Sequence, residues 1–103
     1  MSDEKKSLGA AQMRLIDVIE TLAGHEVFGI RLRAVATAVQ GSDPTVLRDL
    51  QTLEKKGWAK QDENGLWRLS TKPVQIAYDF MAGINVARQN VDQTEHNYTR
   101  KQK

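Results

Sequence analysis

Apolar residues recur at helical spacing near the start of the chain, with charged residues between them. This pattern predicts a first helix at about 9–23. The residues that share its apolar face are Leu15, Ile16, Ile19, Leu22 and Ala23.

The next segment changes from a strand-like to a helical pattern. The β-rich stretch "VFGIRL" predicts a short strand at about 28–31. In "RAVATAVQ", Val35 and Val39 stand four residues apart, which predicts a short second helix at 33–40. The "GSDP" that follows contains turn and breaker residues, so this helix is expected to end there.

A third helix is predicted at about 44–56. Asp43 is a favourable N-cap, and Pro44 suits the first helical position because the nitrogen there needs no partner. Gly57 is the natural residue to end the helix. The predicted buried face consists of Val46, Leu50 and Leu53.

Two strand-like runs, "WAKQDE" and "LWRLS", surround an Asn-Gly pair, which is the strongest short-range signal for a β-hairpin. Alternation places Trp67 and Leu69 on one face of the second strand, and Leu66, Arg68 and Ser70 on the other.

The remainder of the chain predicts a C-terminal helix at 73–95, followed by a basic, flexible tail at 96–103. One stripe of the helix has the spacing of a coiled-coil seam, and two-fold dimerisation through it is one hypothesis. A second stripe contains Ile76, Phe80 and Ala87, and a helix packed on its own domain is the alternative. The residues of the first stripe are Val74, Ala77, Met81, Ile84, Arg88 and Val91.

Together these elements predict an α+β, mostly helical chain. The order of helix, strand, helix, turn, helix and hairpin is typical of a winged helix-turn-helix, with a three-helix core and a small β-wing at 9–72. A flexible N-terminus at 1–8 precedes it, and the long C-terminal helix follows it.

From Met13 to Ser70 the chain resembles the N-terminal DNA-binding domain of IclR-type transcriptional regulators. The segments that carry the resemblance are "LIDVIETLA", "IRLRAVATAV", "TVLRDLQTLEKKGW" and "GLWRLS". Their order implies a winged helix that binds double-stranded DNA through its third helix, although MarR-like and other winged-helix families share much of the pattern.

The chain departs from the IclR pattern in three places. About 33 residues follow the wing, where the family usually has a large effector-binding domain, so no small-molecule pocket is implied. Pro44 occupies a position at which the family often has a serine. Arg33 stands where a capping threonine is common, and it is a possible phosphate contact instead.

Net charge alone does not indicate nucleic-acid binding. The chain carries a formal charge of +2, but residues 7–70 hold eight basic and eight acidic groups. The final eight residues carry a net charge of +3. An electropositive surface must therefore come from local arrangement or from the tail.

The third helix is the predicted recognition helix, because its N-terminal half enters the major groove in helix-turn-helix proteins. Arg48 suits a guanine edge, Gln51 an adenine edge and Leu47 a thymine methyl group. Ordinary solvated helix residues, with Arg48 and Asp49 balancing each other's charge, are the alternative. The complete set of predicted DNA contacts is Arg31, Arg33, Ser42, Thr45, Leu47, Arg48, Gln51, Thr52, Lys55, Lys60 and Arg68.

Two features of the wing limit its predicted role. The tip "DENG" carries two carboxylates, which would repel phosphates, so contact by the tip is not expected. Trp58 and Trp67 could stack on single-stranded bases, but packing of the wing on the helices is the favoured interpretation.

No arrangement of residues predicts catalysis, a cofactor or a metal site. The chain has no cysteine, and its two histidines are far apart in sequence. No apolar run approaches the ~20 residues that span a bilayer. We therefore expect a cytoplasmic protein, associated with the nucleoid when bound to DNA. A protein-interaction adaptor, or single-stranded nucleic acid or RNA binding through the tail, are the alternatives to a small transcriptional regulator.

Overall fold

The computed structural model describes residues 8–101, which form an α+β, mostly helical chain. Helix α1 spans Ala10–Leu22, α2 Leu32–Val39 and α3 Asp43–Lys55. Strands β1 (Ala59–Gln61) and β2 (Trp67–Leu69) form a two-stranded antiparallel hairpin, and helix α4 spans Thr71–Lys101. The chain divides into two units between Lys72 and Pro73, and each is described here by itself.

The first unit is built around one apolar core. Val18 and Leu22 of α1, Val35 of α2, and Trp67 of β2 are fully or almost fully buried. The core also takes in the predicted buried face of α3, which is therefore confirmed. Its nine residues are Val18, Leu22, Val35, Ala36, Val46, Leu50, Leu53, Ala59 and Trp67.

The predicted apolar face of α1 was partly wrong. Val18 and Leu22 form its centre, and Leu15 and Ile19 pack at its edges. Ile16 and Ala23, which were assigned to this face, are instead exposed, and Ala23 lies just beyond the end of the helix. A five-residue face is wider than the contact that one helix makes with its neighbours, so one edge of it stays in solvent.

The predicted strand at 28–31 is reduced to a single bridge. Ile30 exchanges two backbone hydrogen bonds of 2.8 Å with Trp67, and this bridge is isolated from the two strands of the hairpin. Gly29 has a left-handed φ of 75°, and its N–H donates to His25 O at 2.8 Å, so a closed turn precedes Ile30. Helix α2 begins two residues later, which leaves no room for a strand.

The end of α3 agrees with the sequence prediction. Gly57 has a left-handed φ of 83°, a conformation that costs little only without a Cβ atom. Its N–H donates to Glu54 O, and Trp58 N donates to Leu53 O at 2.8 Å. The chain therefore leaves α3 directly into the hairpin, whose register pairs Lys60 with Arg68.

Both tryptophans of the hairpin region belong to the core. Trp67 is 1% exposed, and the half-buried Trp58 packs against the same cluster. This confirms the packing interpretation of the two side chains. Trp67 therefore has no ring face available for base stacking.

Helix α4 is longer than predicted. It begins at Thr71 rather than 73 and continues six residues beyond the expected end at 95. The segment assigned to a flexible tail is thus helical through Lys101. Its sequence "HNYTRK" contains no glycine or proline that would end the helix. No helix among residues 8–101 is long and apolar enough to cross a bilayer. Residues 1–7, which hold most of the expected flexible N-terminus, and residues 102–103 lie outside the described part.

Candidate nucleic-acid interface

The start of α3 is held by Ser42. Its hydroxyl accepts a hydrogen bond from Thr45 N at 3.3 Å and lies 2.8 Å from Thr45 Oγ1. Ser42 is therefore the N-cap, and the prediction that Asp43 caps the helix was wrong, because Asp43 is already inside the first turn. The carboxylate still favours this end of the helix through the helix dipole. Both predicted contacts, Ser42 and Thr45, are thus occupied with each other.

The face of α3 opposite the core carries the polar residues that the sequence predicted to be exposed. Arg48, Gln51 and Lys55 follow one another at helical spacing and all point into solvent. Arg48 and Lys55 are about two turns apart on one line of the surface. Thr52 is also exposed, but its hydroxyl donates to Arg48 O at 2.8 Å. This group of Arg48, Gln51, Thr52 and Lys55 is called the α3 face below.

An ion pair between α1 and α3 neutralises an acidic residue that lies close to the α3 face. Arg14 Nε donates to Asp49 Oδ2 at 2.6 Å, and Arg14 Nη2 donates to Oδ1 at 3.1 Å. Asp49 is only 8% exposed, so its carboxylate is turned away from solvent. The hydrogen bond to Asp49 raises the pKa of Arg14, although partial burial acts against it. The alternative in which Asp49 neutralises Arg48 is therefore wrong.

Arg48 and Lys55 consequently keep their charge available. Among residues 8–99, no acidic side chain forms an ion pair with either of them. The Arg14–Asp49 contact could not have been read from the sequence, because the two residues are 35 positions apart and lie in different periodic segments. Its only sequence signal is an acidic residue beside the buried face of a helix.

Two arginines lie at the beginning of α2. Arg31 is the N-cap residue of that helix and is exposed, but its side chain makes no capping hydrogen bond. Arg33 is also exposed, and its guanidinium lies 3.7 Å from the Asp43 carboxylate. A contact of that length on the surface is weak and leaves the guanidinium able to change partners.

Leu47 does not behave as a surface contact. It is half-buried and packs against the core cluster. The contact with a thymine methyl group stays a prediction, since part of this side chain is already packed within the protein. Its position one residue beyond Val46 turns it towards the edge of the core rather than away from it.

Arg68 is also engaged within the protein, and its role as a DNA contact stays a prediction. Its Nη2 donates to Asp62 Oδ2 at 2.6 Å. Its Nη1 donates to the backbone oxygens of Glu26 at 3.1 Å and Val27 at 2.9 Å. The guanidinium thus fastens the loop before α2 to the hairpin. Lys60, its cross-strand neighbour, remains exposed.

The tip of the hairpin is a closed, anionic turn. Asp62 Oδ1 accepts hydrogen bonds from Asn64 N at 2.9 Å and from Leu66 N at 3.0 Å. The Leu66 hydrogen bond is the main cause that lowers the pKa of Asp62, and Asn64 and Arg68 add to it while burial opposes them. Asp62 therefore stays ionised. The tip carries negative charge, as its composition predicted, and repulsion of phosphates by it stays a prediction.

The residues of the predicted dimer stripe lie along α4. Val74, Met81 and Val91 are exposed, as are Ala77 and Arg88, while Ile84 is half-buried. The side chains of Arg100, Lys101 and Lys103 lie outside the described part of the chain. Binding of single-stranded nucleic acid by the tail therefore stays a prediction.

Comparison with known proteins adds no relative: no family model, curated protein or solved structure matches the chain. The resemblance to IclR-type regulators is carried by the sequence segments alone.

Proposed function

We propose that residues 10–70 form a winged helix-turn-helix that binds double-stranded DNA, with α3 in the major groove. The observation that carries this proposal is the α3 face, where Arg48 and Lys55 point outward without an acidic partner among residues 8–99. Helix α3 follows α2 after a three-residue turn at 40–42, and the hairpin follows α3. This order of elements supports the helix-turn-helix assignment.

The chemistry of the α3 face suits base recognition. An arginine can donate two hydrogen bonds to guanine O6 and N7, and a glutamine can pair with adenine N6 and N7. Arg48 and Gln51 are adjacent on the exposed side of a helix whose diameter fits the major groove. We assign the direct contacts with bases to these two residues, with Thr52 beside them.

The other exposed cations serve the DNA backbone. Arg31 and Arg33 lie at the start of α2, and Lys60 lies on the outer strand of the hairpin. With Arg48 and Lys55 they make five cations on the surfaces around α3. Contacts with phosphates fix the orientation of a protein on the duplex but carry no sequence information. A chain with this division of contacts acts as a site-specific regulator of transcription.

Substitutions at the end of α3 test the orientation of the helix. Lys55→Ala removes a cation from the α3 face, and Lys56→Ala removes its exposed neighbour from another side of the helix. We expect Lys55→Ala to weaken binding to all duplexes and to reduce the salt slope by about 1. Lys56→Ala should change neither the affinity for duplexes nor the slope of log affinity against log salt. Equal effects of the two substitutions in fluorescence titrations would contradict the proposed orientation.

Sequence readout has a separate test at Arg48. Arg48→Ala should weaken the best duplex recovered from a randomised pool by roughly 5- to 150-fold, because one bidentate base contact is lost. Binding to random duplexes should fall much less. A uniform loss on selected and random DNA would assign Arg48 to the phosphates and remove it from base recognition.

A protein adaptor is the second candidate, and one loop favours it. Val27 and Phe28 are 74% and 83% exposed, yet Arg68 holds the backbone of their loop in place. The neighbouring Glu26 and Asp62 have lowered pKa values, caused first by backbone hydrogen bonds from Gly24 and Leu66 respectively, so both stay anionic. This patch fits a protein with an apolar centre and a basic rim. Phe28→Ala should abolish such binding and leave DNA affinity unchanged.

A further inference from the structure

Helix α4 exposes many large apolar side chains. It runs for 31 residues, about 46 Å at 1.5 Å per residue. Large apolar side chains are exposed along its whole described length. Helices in proteins derive most of their stability from packing of an apolar face. A surface of this extent is characteristic of a helix with a partner.

The apolar side chains include one continuous stripe without any charge. Its members are separated alternately by three and four residues, which keeps them on one side of the helix over about 32 Å. The opposite side is mainly polar, with Gln75, Asp79, Asn85 and Gln89 upon it and Tyr78 and Val86 as large apolar exceptions. The α4 seam, as we call the stripe, consists of Ala77, Phe80, Ile84, Ala87, Val91, Thr94 and Tyr98.

The α4 seam differs from the stripe predicted from the sequence. The two share Ala77, Ile84 and Val91, but the predicted stripe also includes Arg88. A guanidinium inside a paired seam must lose water without gaining a partner, which is costly. In the α4 seam, Arg88 moves to the edge, where its charge can remain solvated.

We propose that the α4 seam pairs with the same seam of a second copy of this chain. The segment 71–101 carries four basic and three acidic residues, so two copies neither repel each other strongly nor demand an oppositely charged partner. Ile84 and Val91 stand seven residues apart in the seam, at equivalent core positions of consecutive heptads, as the pairing of two helices in a coiled coil requires. The pairing buries the apolar stripe and leaves the polar side in water.

Sedimentation equilibrium of the full chain without DNA tests the proposal, and its outcome does not depend on DNA binding. The wild-type chain should reach twice its 11.6 kDa mass at micromolar concentration. Ile84→Glu should raise the dimer dissociation constant about 100-fold or more, because it buries an unpaired carboxylate. Gln89→Glu adds the same charge on the polar side and should leave the constant unchanged. A monomeric wild-type chain, or equal effects of both variants, would overturn the proposal.

A second pair of variants distinguishes the α4 seam from the predicted stripe. Phe80→Ser should weaken the dimer about tenfold or more, because Phe80 belongs to the seam. Arg88→Leu should change the dissociation constant by less than about threefold, because Arg88 lies at the edge. Tightening by Arg88→Leu together with no effect of Phe80→Ser would place the interface on the predicted stripe and overturn this seam. Far-UV circular dichroism confirms that the variants keep their helix.

Discussion

At the scale of single residues, two arginines hold the first unit together. Arg14 binds the nearly buried Asp49 through two hydrogen bonds, and Arg68 binds Asp62 and two backbone oxygens. Each guanidinium joins segments that are distant in the chain. Each also removes an acidic group from competition with the cations near α3. These two contacts therefore affect both stability and surface charge.

Loss of the Arg14 contact should destabilise the fold. Arg14→Ala leaves Asp49 without its main hydrogen-bond donor in a site that is only 8% exposed. We expect the free energy of unfolding to fall by about 1–3 kcal/mol in urea denaturation. Arg48→Ala removes a solvated arginine and should change it by less than about 0.5 kcal/mol. Equal losses in the two variants would show that the pair has no structural role.

The hairpin tip should make stability depend on pH. The lowered pKa of Asp62 means that its ionised form is stabilised in the folded state. The ionised carboxylate contributes to the free energy of unfolding above the ordinary pKa of 3.8. This contribution is lost as the pH falls through the lower pKa that Asp62 has in the folded state.

The difference in unfolding free energy between wild type and Asp62→Asn should accordingly shrink as the pH falls below 3.8. Glu63→Gln removes the neighbouring tip charge and serves as the control. A difference that stays constant from neutral to acidic pH would contradict the role given to the Asp62 carboxylate.

The sequence predicted side chains well where a periodic pattern fixed them. Val46, Leu50 and Leu53 are buried, and Arg48, Gln51 and Lys55 face solvent, because the helical repeat determines both sets. The pattern could not assign Leu47 or Arg68. Their roles depend on which neighbours lie beside them in space, and those neighbours are set by the tertiary fold.

At the scale of elements, the predicted helix boundaries depend on the turn and capping residues at the helix ends. Helices α1, α2 and α3 each begin and end within one residue of the predicted bounds, since turn residues flank them. The segment before α2 was harder to predict. Its β-rich composition favoured a strand, but Gly29 and the contacts of Arg68 close the chain into a turn that leaves Ile30 as a lone bridge.

Close packing of the loop before α2 on the hairpin can be tested at Gly29. A Cβ atom at Gly29 would lie 2.8 Å from Leu66 Cβ, in addition to the left-handed φ. Gly57 has a similar φ but nothing within 4 Å of the added atom. We expect Gly57→Ala to cost about 1–2 kcal/mol from φ alone, and Gly29→Ala to cost about 1–3 kcal/mol more. Equal losses in thermal denaturation would mean that the loop does not pack on Leu66.

At the scale of the whole molecule, the net charge of the chain says less about DNA binding than the positions of its charged residues. Residues 7–70 are neutral in sum, yet Asp49 and Asp62 are paired with Arg14 and Arg68. The exposed cations of the proposed DNA surface are Arg31, Arg33, Arg48, Lys55 and Lys60. The sequence allowed the candidates to be named, but only the ion pairs distinguished Lys60 from Arg68.

A dimer that pairs through the α4 seam should recognise a DNA site with two-fold symmetry. Two-fold assembly presents two copies of α3, so the selected duplex should be an inverted repeat. Selection from a randomised pool should yield two half-sites with the wild-type chain. Ile84→Glu should recover single half-sites of lower affinity. A single, asymmetric site with the wild-type chain would separate DNA binding from dimerisation.

The central claim is that the surface around α3 binds duplex DNA through its cations. The most direct test is titration of a fluorescent duplex at several salt concentrations. Five cationic contacts per chain predict binding at low salt, with log affinity falling against log salt at a slope of roughly −4 to −5 per chain. Absence of binding at low salt, or an affinity that does not respond to salt, would contradict the account.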